Sequence, residues 1–507
     1  MRKLLLLVLW LSPLLINGQV TYQKIFTLSD VCFAKSICNV PGNRYAVVGQ
    51  VSIYANKVRM FVMMIDEVGD TLWTRMLQDT VDVFATKILL TPDSDLVVLG
   101  LRRNTEIIFL KLDLSGNPIV SKTIVAPSPY YVGCNQIVNA IDSGFLLLGS
   151  IANAQGHGSA ILIKTNAQGN VEWTKVFFNN LWGCSLEKID SSYLLTATSP
   201  SSILVKINSQ GNIIWGRSYD YSTPATTASI NKTNDDGFIL GGFIDHYPTM
   251  DWLEATILKV DSMGNYQWSM GYGFPGGSDT KVFDIFPKPN GNYVFAISNS
   301  IASYYGAGLI EADSLGNPVW YRAYETGGDP ISTVQTDNNG YLVCSTGLRY
   351  AQGYPTLSPI LVQTDSAGNS GCADTTATIV YSTLSPIQDT AAFADSAVSL
   401  LSGNLFLYPD TVFSIHAFCF SVSVDNSFPF SPSQFFLYPN PTVDMLTISN
   451  IESPINQIEL FNLLGDKVFS VTGRGLTTVD CTLLPPGIYI LQATSADKTW
   501  RGKVVKE

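Results

Sequence analysis

The chain has 507 residues, of which 46% are hydrophobic and only 14% charged, with a formal net charge of −11. This length and apolar content support a large buried core, and the acidic balance repels phosphate, which argues against a nucleic-acid partner. Three histidines, His157, His246 and His416, are scattered along the chain. With no His-Glu-x-x-His, Cys-x-x-Cys or Gly-x-Ser-x-Gly pattern, a zinc enzyme or serine hydrolase is disfavoured, and no cofactor or metal is expected.

Residues 1–18 read as a signal peptide: Arg2 and Lys3, then the apolar run Leu4 to Leu9, then Ile16-Asn17-Gly18. The apolar stretch is short and interrupted by Pro13, so it does not read as a membrane span, and no other segment does. The strand Val20 to Phe26 comes next. Its pattern matches Val171 to Phe177 far downstream.

From there a unit repeats. Turn glycines stand at Gly69, Gly116, Gly169, Gly211, Gly264, Gly316 and Gly368, spaced 42 to 53 residues apart. Asn follows in six of the seven copies, and Trp stands four residues after the glycine in five: Trp73, Trp173, Trp215, Trp268 and Trp320. Residues 225–272 show the unit as four short strands, with turns at Asn234-Asp235-Asp236-Gly237 and Asp261-Ser262-Met263-Gly264-Asn265. Repetition of a four-stranded unit at this period predicts an all-β, seven-bladed β-propeller over residues 19–376; an open β-solenoid is the alternative. A tight Gly-Asn turn joins only neighbouring strands, so each blade ends with its Trp strand and the crossing follows. The first strand of each blade is then innermost, with a recurrent isoleucine at Ile37, Ile88, Ile137, Ile230 and Ile285. The last unit lacks its fourth strand, because Cys372 stands where Trp is expected. Val20 to Phe26 is predicted to fill the gap beside Leu361 to Asp365 and close the ring.

Residues 377–424 predict a small β extension packed on the last blade. Residues 425–434, with Pro429 and Pro432, read as a linker. Cys372 and Cys419 both flank the extension and are the candidate disulfide. Cys32 and Cys38 lie on one strand, about 20 Å apart at ~3.3 Å per residue, and cannot bridge.

The final segment, residues 435–507, opens with Phe436-Leu437-Tyr438-Pro439-Asn440-Pro441-Thr442. It continues through Gly465 and Gly487-Ile488-Tyr489 to Lys503-Val504-Val505-Lys506. This order resembles the C-terminal sorting domain of the type IX (Por) secretion system of Bacteroidota. The resemblance implies a small β-sandwich that partners the secretion machinery through Tyr438, Pro439, Asn440, Pro441, Gly465, Gly487, Tyr489, Lys503 and Val504. It also implies a secreted or outer-surface location, reached through the periplasm.

The turn acids, including Asp235-Asp236 and Asp337, lack the later ligand of a calcium loop and read as hairpin residues. Glu187, Asp279, Asp284 and Asp329 fall near inner strands or crossings, but nothing in the sequence pairs them. A carbohydrate-active enzyme using such acids is therefore an alternative, and a structural or adhesion component of the surface is another. The loops between strands 2 and 3 and the crossings emerge on one face. They carry Tyr130, Tyr131, Trp182, Tyr247, Trp252, Phe274, Tyr304, Tyr305, Tyr350 and Tyr354, while the other face has tight turns. Aromatics on adaptable loops suit sugars or a protein partner. The reading is a non-enzymatic binding protein for a glycan or protein ligand, with Tyr130, Tyr131, Trp182, Tyr247, Trp252, Tyr304, Tyr305 and Tyr354 as the candidate contacts.

Overall fold

A computed structural model gives the architecture. The described residues run from 19 to 506, except 28–30, 54–56, 78–80, 104, 127–129, 154–157, 178–181, 247–251, 276–278, 302–303, 325, 352–353, 373, 378, 391–394, 397–400, 405–407, 410–413, 424–435, 439, 441, 450–453, 463–466, 476 and 496–498. The expected signal peptide, 1–18, lies outside them. Two compact units, 1–424 and 425–507, divide the chain. Among the described residues no helix is long and apolar enough to cross a membrane.

The first unit is a seven-bladed propeller. Seven antiparallel sheets follow one another along the chain, each built outward from an innermost strand: Val31–Val40, Val83–Leu90, Tyr131–Asn139, Trp182–Ile189, Ala225–Lys232, Val282–Pro287 and Pro330–Gln335 in blades 1 to 7. Each innermost strand touches the next, and that of blade 7 returns to blade 1, so the ring is closed. In every blade the innermost strand carries a β-bulge at the same place, from Ala34/Ser36 in blade 1 to Pro330/Ser332 in blade 7. A bulge bends and twists its strand locally. Here it recurs at one level around the axis. The recurrent isoleucines follow the bulge by two positions and are at most 4% exposed, packed between neighbouring blades.

Closure occurs as the sequence predicts. Gln19–Thr27 is the fourth strand of blade 7, with Tyr22 opposite Gln363 and Ile25 opposite Ile360 on Tyr354–Thr364. Tyr22 stands where five of the other six blades have Trp.

The repeated glycine and aromatic form a staple between blades. The ring of Trp73 packs over Gly116 of the next blade. Trp173 packs over Gly211, Trp215 over Gly264, Trp268 over Gly316 and Trp320 over Gly368. Tyr22 lies over Gly69, which carries the series across the closure. Blade 2 has Val120 at the Trp position, and there Phe109 from the adjacent strand lies over Gly169 instead. At Gly264 two constraints coincide: φ is +75°, and a Cβ would come within 2.7 Å of the Trp215 ring. The turn itself is held by its acid: Asp261 Oδ1 accepts the amides of Met263 and Asn265, both at 2.8 Å.

The extension does more than the sequence suggests. Rather than packing only on the last blade, it runs back around the rim. After a bridge from Thr375 to blade 6, Val380–Leu384 adds a fifth strand to blade 5 and Ile387–Thr390 one to blade 4. Asp395–Ser396, Leu401–Asn404 and Tyr408–Pro409 then join blades 3, 2 and 1. Ser414–Ser423 finally pairs with Gln19–Thr27 of blade 7. The physical reason is the open outer edge of each blade, whose unpaired backbone groups accept a strand. Short polar segments fill such edges without a long hydrophobic pattern that the sequence would reveal.

The second unit is a β-sandwich. One sheet holds Phe436–Tyr438, Met445–Ser449 and Thr478–Asp480; the other holds Lys467–Thr472, Gln457–Phe461, Gly487–Thr494 and Thr499–Lys506. Leu446 and Val479 from the first meet Ile458, Leu460, Leu491 and Val504 from the second in one core.

Candidate functional site

The inner strands bring polar residues to the axis. A pocket of about 330 Å³ lies between blades 2 to 6, lined by Lys87, Gln136, Glu187, Ser229, Asn231 and Asp284 over aliphatic side chains such as Leu89 and Val138. These residues occupy the bulge and the chain just after it, so the pocket lies toward the tight-turn end of the channel. Lys87 and Asp284 hold the same repeat position, directly before Ile88 and Ile285. Ser36, Gln136 and Ser229 occupy that position in other blades.

The pocket perturbs its acids. Burial pushes the Glu187 carboxyl up to about 7, against the opposing pull of Lys87. Burial likewise raises Asp284 to about 6, opposed by Lys87 and by the Thr333 amide, which donates to Asp284 Oδ2 at 2.7 Å. Raised carboxyls in a cleft mark sites that handle protons or charged ligands. The sequence singled out both acids without pairing them, and it missed Lys87. The signal was available in the repeat, because residues preceding the isoleucines form a small or neutral column broken by two charges.

The other acids lie elsewhere. Asp279 accepts the Leu253 amide at 3.0 Å ahead of the inner strand of blade 6. Asp329 precedes the inner strand of blade 7, where its carbonyl accepts from Ser345 Oγ at 2.8 Å. Neither lines the axial pocket. Asp235 is a turn residue: it pairs with Lys259 at 2.9 Å and accepts from Thr233 Oγ1 and the Gly237 amide. Among the described residues no group of three or more His, Cys, Asp or Glu side chains is arranged for a metal.

On the loop face, Tyr130 and Tyr131 are exposed at the crossing into blade 3. Trp252 turns back onto its own blade. Its ring stacks on His246 at 4.7 Å, and His246 Nε2 lies 2.9 Å from Glu254 Oε2. Phe274 is buried against Tyr321. Tyr247 and the side chains of Trp182, Tyr304, Tyr305, Tyr350 and Tyr354 lie outside the described residues. Cys372 is disulfide-bonded, whereas Cys32, Cys38, Cys134, Cys184, Cys344 and Cys481 are in the thiol form. The side chain of Cys419 lies outside the described residues. Its backbone faces Gln23, whose amide donates to Ser370 Oγ, two residues from Cys372.

In the second unit Asn440 acts as a clamp on the last strand. Its Nδ2 donates to the Lys503 carbonyl at 2.7 Å and its Oδ1 accepts the Val505 amide at 2.8 Å. Tyr489 is buried, and its hydroxyl donates to the Pro485 carbonyl at 2.7 Å. Val504 lies in the core, and Gly487 opens the strand that carries Tyr489. Pro439, Pro441, Gly465 and the Tyr438 side chain lie outside the described residues.

Comparison with known proteins bears mainly on this second unit. Among solved structures, a protein of unknown function from Bacteroides caccae is similar at 13% identity and a TM-score of 0.36, over 60% of this chain and 94% of that one. Two structures of Sqt1 from Chaetomium thermophilum are similar at 9% identity. One has a TM-score of 0.41 over 72% of this chain and 90% of that one; the other has 0.40 over 69% and 98%. No match is found among curated proteins. Residues 436–507 match the family model of the secretion system C-terminal sorting domain, the Por secretion tail. The chain thus carries a type IX sorting domain behind its propeller and is exported by that route to the cell surface or the extracellular space.

Proposed function

We propose that the exported propeller is a non-enzymatic binding protein that takes a glycan or protein ligand on its loop face near the axis. The observation that carries this reading is the exposure of Tyr130 and Tyr131, at 43% and 49%, where the chain crosses into blade 3. Adjacent exposed aromatic rings offer apolar area at little entropy cost. The opposite face consists of tight turns with their acids committed to backbone amides. A carbohydrate-active enzyme draws support from the meeting of Glu187 and Asp284, but their pocket has no aromatic platform among its lining residues and lies toward the other end of the channel.

The test is a glycan array, with a parallel pull-down of surface proteins, using the exported chain from residue 19. Tyr130→Ala and Tyr131→Ala together weaken binding by ~1–3 kcal/mol and leave the melting temperature nearly unchanged. Unchanged affinity in this variant removes the loop-face site. Cleavage of a polysaccharide by the wild-type chain, lost in Glu187→Gln, replaces the binding reading with the enzymatic one.

A further inference from the structure

The axial pocket holds charge of both signs without pairing it. Lys87 enters from blade 2, Glu187 from blade 4 and Asp284 from blade 6. Blades 2, 4 and 6 of a seven-membered ring are set well apart around the axis, so the three groups converge from different sides. The charge of Lys87 acts on both carboxyls, yet no ion pair within 4.0 Å joins it to either. Among the described residues, Lys87 and Glu187 make no side-chain hydrogen bond, and Asp284 has only the Thr333 amide.

The lysines of the turn face behave differently. Lys111 meets Asp95 at 2.9 Å, Lys164 meets Asp142 and Glu172 at 2.9 and 2.8 Å, and Lys259 meets Asp235 at 2.9 Å. Each of these three lysines has a carboxylate in contact. Partly buried charges left apart carry a desolvation cost, which the two acids meet in part by holding protons more tightly.

We infer that the axial pocket seats a small zwitterion, a free α-amino acid, with its carboxylate on Lys87 and its ammonium between Glu187 and Asp284. A neutral ligand leaves all three charges uncompensated. A simple cation leaves Lys87, and a simple anion leaves both acids; only a ligand carrying both signs answers the set. The volume of about 330 Å³ accommodates one such molecule. Gln136 offers a neutral donor and acceptor at the wall. Asn231 directs its Nδ2 to the Ile285 carbonyl at 2.6 Å, which turns the amide into a fixed fixture of the pocket. Leu89 and Val138 supply an apolar wall for a side chain or Cα.

Isothermal titration calorimetry on the exported chain from residue 19, with a panel of free L-α-amino acids, tests the assignment. At least one binds saturably. The same amino acid binds at least ten-fold more weakly when N-acetylated, and again when its carboxylate is amidated. Lys87→Met and Glu187→Gln each weaken it ten-fold or more, with folding of the variants checked by thermal melts, whereas Tyr130→Ala does not. The blocked ligands need no variant, so the test stands even if a substitution unfolds the chain. Absence of binding by any free amino acid at millimolar concentration overturns the inference, as does equal binding of free and blocked forms. Glycan or protein binding that survives Glu187→Gln while every amino acid fails overturns this site and leaves the loop-face reading intact.

Discussion

A single glycine in each repeat does two jobs, and Gly264 shows both. Its φ of +75° excludes most side chains, and the Trp215 ring occupies the space a Cβ would need. Gly264→Ala is expected to cost about 2–4 kcal/mol, from overpacking together with left-handed strain, read as a lower midpoint in urea unfolding. A midpoint within error of wild type shows that the ring shifts freely and the staple is dispensable. The axial acids give the second residue-scale expectation. Glu187 and Asp284 have folded-state values of about 7 and about 6, above their ordinary 4.5 and 3.8. Both bind protons more tightly folded than unfolded, so their contribution to stability is full below about 4 and is lost as pH rises through 6 to 7. Lys87 and Lys188 are the charged neighbours of the pocket, and burial pushes the nearby Cys38 thiol up to about 12, away from that window. The melting temperature of wild type should therefore fall between pH 4.5 and 7.5 relative to the double variant Glu187→Gln, Asp284→Asn. Parallel profiles for the two proteins count against the burial of these acids. The acids themselves were legible in the sequence as inner-strand residues. Their meeting was not, because it depends on which blades face one another across the axis.

At the scale of elements, the extension is a belt. It covers the outer edge of six blades with strands and touches the remaining blade through Thr375. Unpaired edges invite pairing with another chain, and short edge segments, one of them ending at Pro409, blunt them. The chain 19–376 should thus melt lower than 19–424 and form oligomers on size-exclusion chromatography, whereas 19–424 stays monomeric. Equal melting temperatures and equal monomer content show the belt to be ornamental. The strand Ser414–Ser423 also encloses the closing strand Gln19–Thr27 from its outer side, so the ring is latched from both chain ends. The register that sets Cys419 opposite Gln23 supports its proposed bond to Cys372. Non-reducing peptide mapping should recover these two cysteines in one cross-linked fragment.

At the scale of the molecule, the propeller and the sorting domain are separate compact units with their own cores. Each unit has a core of its own, so deleting residues 435–507 should leave the propeller folded and trap it in the periplasm. Recovery of the truncated protein outside the cell shows that a second signal directs export. The repeat period, the Gly-Asn turns and the spaced tail residues were all visible in the chain. They determine the blade number, the ring closure and the route of export, because each rests on local turn chemistry and short-range spacing. The belt, the Trp-on-glycine staples and the union of Lys87, Glu187 and Asp284 were decided by tertiary structure alone. Each joins residues from different blades, or from opposite ends of the chain, and only the closed ring brings them within reach.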